Sequence, residues 1–184
     1  MEYVYKLNLP SIEYFLHSEY DFKSKIVSSI TNIYKLNSIF DITKLNFNEY
    51  DWRGGSAVIF KKTPFSDGVV HIDGLEDSKI FGINWIHGGD GGMKYWSNPK
   101  HYKMQSTILD NAGRPRIDIQ INSPHDKIYP MECNCAYLVN TSVPHSGYNK
   151  HPTESRYAIS LRPKNKKIEW KEVVNSMKHL IVSK

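Results

Sequence analysis

Val69-Val70-His71-Ile72-Asp73-Gly74 is the stretch whose reading decides the fold. It alternates like a short strand, with Val69, His71 and Asp73 on one face and Val70 and Ile72 on the other. A histidine and an aspartate two apart on a strand point the same way. Aimed at a common point, they supply two-thirds of a 2-His-1-carboxylate facial triad, the ligand set of non-haem Fe(II) with three open positions. The same letters also fit a strand-end histidine with a turn aspartate ahead of Gly74, so the pair needs a third ligand on a suitable scaffold.

The neighbouring sequence is rich in strand signals. Ser56-Ala57-Val58-Ile59-Phe60 is strand-like, and Thr63-Pro64-Phe65-Ser66-Asp67-Gly68 breaks it before the His71 strand. Lys79 to Ile86 forms the next strand, then Gly88-Gly89-Asp90-Gly91-Gly92 reads as a hairpin turn leading into Met93–Trp96. No helix follows those glycines, which excludes a phosphate-binding loop. Arg116–Ile121, Asn134–Val139 and Arg156–Arg162 complete the strand candidates in this part of the chain.

Toward the N-terminus, residues 1–9 alternate like an edge strand, Ser11–Leu16 forms a helical turn, and Asp21 N-caps a helix through about Lys35. Phe40–Phe47 reads as an irregular connection. At the other end, Glu169 to about Val182 is an amphipathic helix with Val173, Val174, Met177, Leu180 and Ile181 on its apolar side. Seven or eight short strands between helices predict an all-β sandwich or barrel in a single domain, residues 1–184.

Composition narrows the class. The 184 residues include twelve Tyr and four Trp, and 40% are hydrophobic, which argues for a packed β-rich domain. No run of 18 apolar residues occurs and no signal peptide opens the chain, so a cytoplasmic protein without a membrane span is expected. Cys133 and Cys135 are too few for a structural zinc site and read as free packed thiols. The net charge of +5, concentrated in Arg162–Lys167, is compatible with anionic partners or with a solvated loop before the last helix.

The third ligand comes from Val143-Pro144-His145-Ser146-Gly147, where a proline fixes the backbone just ahead of His145 at the end of a strand. Eleven residues later Arg156 opens a strand whose Arg156, Ala158, Ser160 and Arg162 share a face, with Tyr157, Ile159 and Leu161 packing on the other. An arginine pointing into a barrel needs an anionic partner, and a bound dicarboxylate would satisfy it bidentately.

The order His71-x-Asp73, His145, Arg156 resembles the Fe(II)/2-oxoglutarate-dependent oxygenase superfamily, particularly its small bacterial and phage-type hydroxylases, over residues 55–163. The resemblance implies a mainly β fold: a double-stranded β-helix (jelly-roll/cupin-like) core with N-terminal helices and a C-terminal helix. It implies that His71, Asp73 and His145 bind iron and that Arg156 pairs with the distal carboxylate of 2-oxoglutarate, with Asn84 as a further cosubstrate contact. Many members carry serine two residues after that arginine, where this chain has Ala158; Ser160 or a tyrosine hydroxyl would replace the contact, and Arg162 is a rival for the carboxylate. The implied activity is hydroxylation of an unactivated C–H bond by O2, with release of succinate and CO2. An intact Asp73 favours this, or related demethylation or desaturation, over halogenation.

Trp85, Trp96 and Arg162 are candidates for a substrate pocket, although strand aromatics commonly belong to a core. His17, His87, His101, His125, His151 and His179 are the remaining histidines, His125 being the rival to His145. Arg156-x5-Arg162 also has the spacing of two arginines in alkylated-base repair dioxygenases. The substrate could therefore be a small molecule, an amino acid or peptidyl side chain, or nucleic acid, and a non-catalytic cupin-like binding protein remains an alternative.

Overall fold

The computed structural model describes residues 1–16, 40–47, 49–52, 56–74, 80–109, 115–164 and 168–183. The proposed helix from Asp21 to Lys35 lies outside them. The described elements are β1 (Val4–Leu7), helical turn α1 (Ile12–Phe15), β2 (Ser56–Lys62), β3 (Ser66–Asp67), β4 (His71–Asp73), β5 (Phe81–His87), β6 (Gly91–Tyr95), β7 (Tyr102–Leu109), β8 (Pro115–Ile121), β9 (Lys127–Pro130), β10 (Ala136–Asn140), β11 (His145–Asn149), β12 (Arg156–Arg162) and α2 (Trp170–Ser176).

Two antiparallel sheets hold these strands. One has the order β1-β10-β5-β12-β2; the other runs β7-β8-β4-β11-β6-β9, with β3 pairing β11. The connectivity explains the architecture. Strands β2, β4, β5 and β6 alternate between the sheets, and each pairs antiparallel with a later strand in nested order: β2 with β12, β4 with β11, β5 with β10, β6 with β9. One long hairpin wound into a coil of this kind is a double-stranded β-helix, the jelly-roll/cupin core.

Alternation along each strand separates an inner from an outer layer. Outward residues of the first sheet, including Ile59, Ile83, Trp85, Leu138, Ile159 and Leu161, pack beneath α1 and α2 against Phe15, Trp170, Val173 and Met177. Glu169 and Glu172 form a reciprocal capping box that starts α2, which ends by Ser176 and passes into a 3-10 turn at Lys178–Leu180, earlier than the apolar periodicity suggests. Between the sheets Ile86, Met93, Tyr95, Met131, Tyr137 and Val139 fill one end of the sandwich. The site adjoins this cluster, and Ile86, Met93 and Met131 line its cavity together with His71, Asp73 and His145. No helix among the described residues is long and apolar enough to cross a membrane.

Three sequence expectations are corrected. Gly88-Gly89-Asp90 is a tight turn, with φ of 67° and 60° at its glycines, but it is not a hairpin: β5 and β6 belong to different sheets, and the turn passes the chain between them. The stretches 97–115 and 122–132, which carry no strand pattern in the sequence and would be expected to be loops, contain β7 and β9. Strand β7 is exposed along most of its length and so lacks an apolar alternation, while β9 carries Pro130 at its end. Finally, a strand does end ahead of His145, β10 at Asn140, but His145 also begins an unforeseen strand, β11, where Ser146 and Gly147 have poor strand propensity but are held by pairing to β4 and β6.

Candidate metal centre

Strand β4 holds His71 and Asp73 on its inner face while Ile72 packs outward with Val70, Ile117 and Ile119. Two backbone bonds fix its end: the Asp73 N–H donates to the Thr141 carbonyl (3.0 Å) and the Gly74 N–H to the Pro115 carbonyl (2.8 Å). Gly74 has φ of 90°, so the chain turns away immediately after the carboxylate. Strand β11 runs alongside in a register that sets His145 opposite His71. Their rings are 4.5 Å apart between centroids. Ligand atoms of His71, Asp73 and His145 all lie within 4.8 Å of one another, and no other such group of three occurs among the described residues.

Both imidazoles are oriented by the same local device. Nδ1 of His71 lies 2.9 Å from the Val69 carbonyl, and Nδ1 of His145 lies 2.9 Å from the Val143 carbonyl, in each case two residues back. A carbonyl only accepts, so each Nδ1 carries the proton and each Nε2 keeps its lone pair for a ligand. Burial, with His71 alongside, pushes His145 down to about 3, so it is neutral at physiological pH.

Asp73 is placed by opposing forces. Burial pushes its pKa up, but the adjacent Arg162 guanidinium outweighs that and holds it well below the usual carboxylate range. Arg162 donates from Nη2 to Asp73 Oδ2 at 2.7 Å and from Nη1 to Thr141 Oγ1 at 2.6 Å. Gly82 makes room for this: a Cβ there would stand 2.9 Å from Arg162 Cδ. The other carboxylate oxygen, Oδ1, faces His71 Nε2 at 3.3 Å. Asp73 thus offers one oxygen to the cluster and gives the other to the arginine.

Arg156, at the far end of the same strand, has different surroundings. It is 4% exposed and donates to the Met131 carbonyl at 3.2 Å, but no carboxylate among the described residues lies within ion-pairing distance. Ala158 and Ser160 separate the two arginines on the inner face of β12. Ser160 stands opposite Asn84 on β5, and both are buried; Ser160 Oγ and Asn84 Oδ1 have no hydrogen-bond partner among the described residues. A cavity of about 350 Å³ is lined by the three clustered residues, both arginines, Ala158 and Asn84.

The other sequence candidates lie elsewhere. Trp85 faces the outer core, in contact with Phe15 and Phe40, and its indole N–H donates to the Pro10 carbonyl. Trp96 packs on the outer face of the second sheet with His125 edge-on to it. Neither tryptophan lines the cavity, because the two-residue alternation turns each away from the inner face. His101 pairs with Asp126, His151 accepts backbone N–H groups of Thr153 and Glu154, and His179 bonds the Ser176 carbonyl. His17 lies outside the described residues. Cys133 and Cys135 are free thiols, but Cys133 is exposed rather than packed. Thr141, which props both Asp73 and Arg162, was not singled out by the sequence reading; its only sequence signal is its place between the β10 strand and His145.

No family model matches the chain, and no curated protein matches it. Three solved structures share parts of its shape. A pumpkin seed globulin is 14% identical over 63% of this chain and 27% of its own, with a TM-score of 0.36. Procruciferin, an 11S globulin from Brassica napus, is 7% identical over 82% of this chain and 32% of its own, also at 0.36. An oxalate oxidase is 10% identical over 88% of this chain and 77% of its own, at 0.41. The chain spans about a third or less of the length of either globulin.

Proposed function

We propose that the chain is an Fe(II)- and 2-oxoglutarate-dependent dioxygenase that hydroxylates an unactivated C–H bond of a small molecule, amino acid or peptidyl side chain. The observation that carries this reading is Arg156: a buried guanidinium without a carboxylate, opening into the same cavity as a His-Asp-His cluster. A buried unpaired charge costs several kcal/mol, so the fold retains it for a partner that arrives from solution. A dicarboxylate meets that need, because one end can take the arginine's two parallel donors while the other reaches the metal.

The donor set suits a ferrous ion. Two imidazoles and one carboxylate are borderline-to-hard ligands, and their convergence from one side leaves the remaining positions for other ligands. Arg162 has a separate part here: by engaging Oδ2 of Asp73 it restricts that carboxylate to a single donor atom and fixes its orientation. Asn84 lines the cavity near the arginines, where its Nδ2 amide would donate to a bound keto acid. The bound ion would supply O2 activation, with 2-oxoglutarate as the two-electron reductant that leaves as succinate and CO2. Ile86, Met93 and Met131 make part of the cavity wall apolar.

Arg162 is engaged with Asp73 and Thr141, and no observation among the described residues favours a nucleic-acid substrate over a small one. Anaerobic equilibrium dialysis tests the reading. Wild type should retain about one Fe(II) and bind 2-oxoglutarate; Asp73→Ala should lose the metal, and Arg156→Met should keep it while losing the keto acid. Retention of 2-oxoglutarate by Arg156→Met at wild-type affinity would defeat the assignment.

A further inference from the structure

The proposed keto acid and metal account for Arg156, Asn84 and the His-Asp-His cluster, but not for two further cations of the cavity wall beside them, Lys62 next to Arg156 and Arg116 next to Asp73 in the strand registers. Lys62, from β2, extends past Gly147 of β11 to Gly68, so closely that a Cβ on Gly68 would collide with Lys62 Nζ. The ammonium makes no hydrogen bond or ion pair with any described residue. The nearest acidic group to influence it, Asp67, is already paired with Lys94 at 2.8 Å. Burial depresses the Lys62 pKa, as expected of a cation held away from water without a counter-ion. A second cation, Arg116 on β8, stands next to Asp73 in the strand register and is partly compensated by Asp118 at 3.0 Å. This wall therefore carries a net positive charge directed into the cavity.

Beside these cations the wall is apolar. Phe60, Val69, Ile108 and Leu109 line it, and Val69 and Leu109 are 57% and 69% exposed. Large aliphatic side chains left open at the rim of a cavity, next to half-buried positive charge, are the complement of a molecule with an anionic group and a hydrocarbon body.

We infer that the molecule oxidised here is an aliphatic carboxylic acid, its carboxylate held by Lys62 with Arg116 in support and its chain laid over Phe60, Val69, Ile108 and Leu109. The inference rests on the oxygenase reading for its chemistry. As a binding site it stands on the residues alone. Lys62 and Arg156 are register partners on β2 and β12, but their charged ends part: Arg156 donates to the Met131 carbonyl, whereas Lys62 Nζ lies against Gly68.

Calorimetric titration of the full chain, with metal chelated and 2-oxoglutarate absent, separates this inference from the oxygenase assignment. Octanoate and octanamide serve as probes, alike in chain and shape and differing in charge. Octanoate should bind at least tenfold tighter than octanamide. Lys62→Met should reduce octanoate to the amide's affinity, Lys62→Arg should recover most of it, and Arg156→Met should leave it unchanged. Circular dichroism confirms that each variant is folded, and Lys62→Gln provides a second neutral replacement if the methionine variant is not. Equal affinity for acid and amide, no octanoate binding at all, or octanoate binding that follows Arg156 rather than Lys62 would overturn the inference. So would a loss of 2-oxoglutarate binding in Lys62→Met with octanoate binding intact, since Lys62 would then belong to the cosubstrate.

Discussion

Arg162 and Arg156 sit at opposite ends of one strand, on the same inner face, and both are about 95% buried. Arg162 meets a carboxylate and a hydroxyl at hydrogen-bonding distance, while Arg156 meets a single backbone carbonyl. Arg162 is part of the structure, since its charge is balanced inside the chain and its loss would leave Asp73 exposed to its full desolvation cost. Arg156 is balanced by nothing in the described chain, so its charge is explicable only through something it binds. The same residue type on the same strand can thus hold a site together or await a ligand, and the partner atoms decide which.

The sharpest way to break this comparison is to remove each charge. Arg162→Met should destabilise the protein by about 3–5 kcal/mol, the usual cost of orphaning one member of a buried ion pair. Combined with Asp73→Leu it should recover much of that loss, so a chemical-denaturation cycle should show strong coupling. Arg156→Met should be neutral or stabilising by about 1 kcal/mol, because it deletes an uncompensated buried cation. If Arg156→Met cost as much as Arg162→Met, Arg156 would have a structural partner and the contrast would fail.

Ligand linkage gives a smaller but more specific effect. At a concentration about 100 times its dissociation constant, 2-oxoglutarate should stabilise the iron-loaded anaerobic wild type by about 2.7 kcal/mol. Thermal denaturation should show that shift vanish in Arg156→Met while the shift from metal alone persists.

Acid gives the smallest effect and reports on His145. Its pKa lies near 3 in the folded chain, well below the ordinary value of 6.5. Below about pH 6.5 the unfolded chain takes up a proton there that the folded chain refuses, so stability falls with falling pH until about 3. The slope from this group reaches at most about 1.4 kcal/mol per unit. Urea midpoints of metal-free wild type and His145→Gln between pH 7 and 5 should show a steeper acid loss in wild type; parallel curves would mean that His145 is not held neutral by burial.

Much of the site was legible because its parts are local. His71 and Asp73 declare a shared face through two-residue spacing, and the alternation of Arg156–Arg162 separates inward arginines from the outward Tyr157, Ile159 and Leu161. Which arginine meets Asp73 was not legible, since that depends on where β12 crosses β4, a matter of winding rather than of spacing. Trp85 was misleading for the same reason. Its neighbour Asn84 faces the cavity, and a one-residue difference turns the indole into the layer beneath the helices. Strands β7 and β11 escaped notice because one is exposed along most of its length and the other contains Ser146 and Gly147; both are strands through their neighbours rather than through their own sequence. Lys62 reads in sequence as the end of a strand beside Lys61, and only the closeness of Gly68 and Gly147 reveals where its ammonium lies.

The central claim is that one cavity holds a metal-binding cluster at one end and an anchor for a keto acid at the other. Anaerobic addition of Fe(II) and then 2-oxoglutarate, followed in the visible range, tests it most directly. The account predicts a weak metal-to-ligand charge-transfer band in wild type, absent in His145→Ala. A wild-type protein that develops no band, or a His145→Ala variant that develops it equally, would contradict it.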